Sequence, residues 1–73
     1  METRVLTQTS QTNAIKAKRL LHRNGISAVI VRLSPKMTKN GCAFGLRVDR
    51  YAVNRVVLLL EDGGIDFGEI LAY

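Results

Sequence analysis

Cys42 is the only thiol in this 73-residue chain, and the residues around it decide what it can do. A thiol reacts as its thiolate, which needs positive potential and access. Lys36 and Lys39 precede it, Arg47 follows it, and Gly41 beside it gives backbone room for an incoming group. In that setting Cys42 is a candidate nucleophile, with Lys36, Lys39, Gly41 and Arg47 as candidate binding residues. The opposing reading is a small buried apolar residue, since free cysteines are among the most buried residue types. Cys42 stands two residues before Phe44, so on a strand that starts this early it points to the same side, toward the helices. Both readings stay open on the residues alone.

Other chemistry finds little support. His22 stands among Arg19 and Arg23 with no second histidine, so no metal-ligand set is expected. No phosphate-cradling glycine loop of standard spacing occurs. Glu61, Asp62, Asp66 and Glu69 surround a turn and a terminal strand, and read as surface charge rather than a general acid–base pair. No cofactor is expected, and a non-catalytic binding or regulatory module fits better than a conventional enzyme.

The elements that must position these residues fit one domain. A chain this short buries only roughly 60% of its unfolded surface, so its core is marginal. One cysteine allows no internal disulfide. A hydrophobic content of 47% argues for a folded chain and against disorder. No apolar run is long enough for a membrane span. The start, METRVLTQTSQ, lacks the basic and apolar stretches of a signal peptide. With the unpaired thiol this gives a cytoplasmic expectation. The net charge is +5 and uneven: from Thr3 to Val48 every charged residue is basic, and acids dominate from Asp49 onward. A basic surface of this kind suits an acidic partner, a nucleic acid or a small anion, or is simply solvated.

Residues 4–9 (RVLTQT) read as a strand. Ser10 caps a helix through residues 13–24, with Ala14, Ala17 and Leu21 on its inner face and Gly25 as a left-handed stop. Residues 26–33 form a second strand, and residues 34–41 (SPKMTKNG) a loop. Residues 43–48 form a third strand. Asp49 caps a helix over residues 50–62, whose core stripe is Val53, Val56, Val57 and Leu60. Gly63 and Gly64 stop it, and residues 65–71 form the last strand. Leu20-Leu21 before Gly25-Ile26 is echoed by Leu59-Leu60 before Gly64-Ile65, a weak internal repeat. The fold class is α+β: a ferredoxin-like βαββαβ unit, with a four-stranded antiparallel sheet and both helices on one face.

In the third strand Phe44, Leu46 and Val48 should pack under the helices, leaving Ala43, Gly45 and Arg47 on the open face. Ala28 and Ile30 are expected to join that open face. A sheet face of small apolar residues invites a partner, and the expectation is a homo-oligomer. The element order also suits an RNA-recognition module, which stacks bases on strand aromatics. Its signature wants aromatics at the positions of Cys42, Phe44 and Arg47, and only Phe44 is present, so nucleic acid is not the expected partner.

Four stretches carry a family resemblance: SQTNAIKAKRLL from Ser10 to Leu21, NGI from Asn24 to Ile26, LSPKMT from Leu33 to Thr38, and CAFGLRV from Cys42 to Val48. On these the chain resembles the selenium/sulfur carrier protein-like family across about its full length. One departure is Ala43, where the family usually has glycine directly after the cysteine. The resemblance implies a carrier, in which Cys42 accepts a persulfide or perselenide from a donor protein and passes it to an acceptor protein. Ser34, Lys36, Thr38 and Lys39 would line the approach, and Arg47 would hold the thiolate as an anion.

Overall fold

The computed structural model describes residues 2–38 and 41–73. The order is β1 (Thr3–Gln8), α1 (Gln11–Arg23), β2 (Val29–Arg32), β3 (Phe44–Asp49), a 3-10 turn (Arg50–Ala52), α2 (Val53–Asp62) and β4 (Ile70–Ala72). The strands form one sheet in the order β2-β3-β1-β4. Every neighbouring pair is antiparallel. Leu6 and Leu46 of the sheet share a core with Ala17 and Leu21 of α1 and Val56 and Leu60 of α2. Both helices therefore cover one face, and the fold is the α+β ferredoxin-like βαββαβ arrangement.

Each helix starts and stops for a local reason. The Ser10 Oγ accepts the Asn13 N–H at 3.1 Å, satisfying a first-turn donor of α1. Gly25, at φ 75°, closes α1. The Gly25 and Ile26 N–H groups bond back to the His22 and Leu21 carbonyls at 3.1 and 2.9 Å. Gly64, at φ 69°, closes α2 in the same way, with Gly64 and Ile65 donating to Glu61 and Leu60 at 3.1 and 2.8 Å. Both are paired-bond stops that need a left-handed residue. The sequence repeat thus corresponds to a repeated stop.

Three elements are shorter than their sequence suggests. β2 begins at Val29 rather than Ile26, because the Ile26 N–H is already committed to the helix stop. The second helix begins at Val53, since the Asp49 Oδ1 caps Tyr51 at 2.8 Å and opens a 3-10 turn first. β4 begins at Ile70 rather than Ile65. The Thr7 carbonyl accepts from Gly68 at 2.9 Å, and the Glu69 N–H turns instead to the Thr7 Oγ1 at 2.7 Å. Regular pairing to β1 starts only after that irregularity.

The faces of the sheet also need one correction. Ile30 pairs with Leu46 and packs against the core, and Ala28 lies within it, so neither is on the open face. Val29 pairs with Arg47 and Val31 with Gly45, which places the valines there instead. Nor is Gly45 a bare spot awaiting a partner. A Cβ there would overlap the Val5 Cγ1 and stand 3.1 Å from the Leu33 Cδ1. The space left by the missing side chain is filled from within the chain, and Val5, Thr7, Leu33 and Gly45 are all buried.

Candidate functional site

Cys42 lies just before β3, after Gly41 at φ 68°. The cysteine is free and half-buried. It lines a cleft of about 540 Å³ built from three segments: residues 9–11 at the start of α1, residues 41–44 leading into β3, and Phe67-Gly68 before β4. The segments are tied together. The Asn13 Nδ2 donates to the Gln8 Oε1 and to the Asp66 carbonyl, both at 2.8 Å, which fastens the Phe67 segment to α1. On the other side, the Leu33 N–H donates to the Ala43 carbonyl at 2.7 Å and extends the β2–β3 pairing to the residue after Cys42.

The floor of one wall is a helix N-terminus. Ser10 engages Asn13 through its hydroxyl and Ala14 through its carbonyl, at 3.1 and 3.0 Å. The N–H groups of Gln11 and Thr12 have no partner among the described residues. Orphan donors and the positive end of the helix dipole make such a terminus attractive to negative charge. Cys42 therefore shares its cleft with an anion-favouring surface.

The structure gathers only part of the set proposed from sequence. Gly41 and Cys42 line the cleft together. Lys36 is exposed in the turn after Pro35, outside the cleft lining. Lys39 lies outside the described residues. Ser34 is exposed, and Thr38 is buried with its Oγ1 lacking a partner among the described residues. Arg47 pairs with Val5 and Val29, on the sheet face opposite Phe44, Leu46 and Val48. Cys42 precedes β3, and Arg47 is the fourth residue of that strand, so its backbone lies about 10 Å along the strand beyond that of Phe44.

Another cation borders a residue of the cleft lining, and sequence reasoning passed over it. Arg32 pairs with Phe44, a lining residue, and its guanidinium lies over that ring. The signal was the hairpin register: with Val31 opposite Gly45, Arg32 must face Phe44. The helix start at Ser10 and Gln11 was equally hard to see, because it is distant in sequence and becomes a neighbour only through the β1–β3 pairing.

A βαββαβ unit with a lone thiol in a cleft at a helix N-terminus defines a small α+β thiol protein. The family described as "Putative Se/S carrier protein-like" matches residues 3–72, and the chain belongs to that family. No curated protein and no solved structure matches the chain. No helix among the described residues is long and apolar enough to cross a membrane.

Proposed function

We propose that this protein carries sulfur or selenium on Cys42, as a persulfide or perselenide. The Cys42 sulfur attacks the terminal sulfur of a donor persulfide, forming one S–S bond while the donor's own S–S bond breaks. The donor leaves as a thiolate and takes up the proton that Cys42 gives up, so no external oxidant or reductant is needed. An acceptor thiol repeats the exchange and returns Cys42 to the free state. With selenium the transferred atom changes and the balance does not.

The observation that carries this reading is the position of Cys42, half-buried yet lining the cleft at the start of α1. Partial cover shields a terminal persulfide, and the orphan amide of Gln11 and the helix dipole favour its negative charge. Gly41 keeps the approach free of a side chain, and Arg32 adds positive charge along the Phe44 wall. Family membership supports the same class of function. The donor is a protein that presents a persulfide or perselenide to this cleft, and the acceptor one that presents a thiol.

The test is incubation with a cysteine desulfurase and isotope-labelled cysteine, followed by intact mass. The wild type is expected to gain one labelled sulfur, removable by a thiol reductant, and Cys42→Ser to gain none. An unlabelled wild type, or equal labelling of Cys42→Ser, would rule the carrier reading out.

A further inference from the structure

Away from the thiol cleft, the free edge of β2 lies beside a basic groove. β2 ends the sheet, so one side of its backbone has no neighbouring strand among the described residues. The Leu33 N–H points inward to Ala43. The alternation of an antiparallel ladder then turns the N–H and C=O groups of Ile30 and Arg32 outward. Unpaired groups of this kind are a template for another strand. Beside the edge, Ile15, Lys18, Arg19, His22 and Arg23 of α1 join Ile30 around a groove of about 440 Å³. Ile15 is 37% exposed and Ile30 half-buried, which gives the groove an apolar floor. Its walls are basic, and no acidic side chain among the described residues lines it.

We propose that the β2 edge and this groove bind an extended polypeptide segment bearing acidic side chains, added to the sheet as a fifth strand. The unpaired backbone suits a partner whose N–H and C=O groups repeat at strand spacing, as a polypeptide backbone has and a sugar–phosphate backbone does not. Lys18, Arg19 and Arg23 select acidic side chains, and the Ile15–Ile30 floor takes an apolar one between them. A second copy is a poorer occupant. Pairing β2 with β2 about a two-fold axis would set the basic α1 walls of both copies beside each other, and like charges oppose such contacts. This surface does not depend on the role of Cys42.

The test is fluorescence anisotropy of the full chain, at low salt, with a labelled heptapeptide that carries glutamate, valine and glutamate at positions 2, 4 and 6 and threonine between them, so that all three face the groove. Binding is expected, about tenfold weaker in the double variant Arg19→Glu/Arg23→Glu. It should be lost when lysine replaces glutamate in the peptide. It should also be lost when the peptide's alternate amides are N-methylated on the edge that would pair, a change that leaves the protein untouched. Cys42→Ser should bind as the wild type does, whatever its sulfur labelling. Equal affinity for the lysine peptide or the N-methylated peptide overturns the proposal. Tighter binding of a short oligothymidine strand, lost in the same double variant, overturns it in favour of nucleic acid.

Discussion

The guanidinium of Arg32 lies 6.0 Å from the centre of the Phe44 ring, where β2 and β3 pair the two residues in register. The contact is at the outer limit of a cation–π interaction and Arg32 is exposed, so its worth to stability is below about 1 kcal/mol. Its larger effect should be electrostatic, on the cleft that Phe44 shares with Cys42. Arg32→Gln is expected to lower the rate of Cys42 alkylation by iodoacetate relative to iodoacetamide, by roughly twofold, the size of one screened charge nearby. The ratio compares an anionic with a neutral reagent on the same thiol, so it reports local potential rather than the thiolate fraction. An unchanged ratio would place Arg32 outside the field of the site.

Ser10 serves both the helix and the cleft, and two substitutions separate these roles. Ser10→Ala removes the acceptor for Asn13 and should cost about 1 kcal/mol in urea unfolding. Ser10→Asp keeps an acceptor at the favourable end of the dipole and should hold stability near the wild-type value. It also places a negative charge in the cleft, so iodoacetate labelling of Cys42 should fall relative to iodoacetamide. If Ser10→Asp labelled as the wild type does, the start of α1 would not govern the site.

What the sequence revealed and what it hid divide along physical lines. The helix stops at Gly25 and Gly64 were legible because they depend on one residue type and bonds spanning a single turn. The inner faces of α1 and α2 were legible because Ala14, Ala17, Leu21, Val56 and Leu60 recur at helical spacing. The face of Ile30 was not, since Val29, Ile30 and Val31 are apolar in succession and carry no alternation to read, and only the pairing of Ile30 with Leu46 fixes it. The site was half legible. Cys42 and Gly41 are neighbours in sequence, whereas Ser10, Gln11 and Phe67 reach the cleft through non-local pairing. Arg47 looked close to Cys42 along the chain, but strand geometry carries it along and across the sheet.

Asn13 holds the Phe67 side of the cleft in place through two donated bonds, one of them to the buried Gln8. Asn13→Asp keeps the shape and turns both donors into acceptors. The Gln8 Oε1 then loses its partner in a buried position, a change that costs about 1–3 kcal/mol. Urea unfolding should show this loss. Amide hydrogen exchange should also quicken across residues 66–69 more than in the β1–β3 ladder. Uniform quickening would mean that Asn13 supports the whole fold and not the cleft wall in particular.

Gly45 tests whether the open face is packed from within. An added methyl would overlap Val5 and press on Leu33, and both neighbours are buried with little room to move. Gly45→Ala is therefore expected to cost about 1–3 kcal/mol, the range for overpacking a filled site. Val5→Ala alone leaves a cavity and should also destabilise. In the double variant the new methyl enters the space that Val5 vacates, so the combined loss should be smaller than the sum of the two. A double-mutant cycle from urea midpoints measures that coupling, which for residues in contact is about 0.5–3 kcal/mol. Strict additivity would mean that Val5 is not what excludes a side chain at position 45. A change in oligomeric state with unaltered stability would mean that the space is filled by another chain.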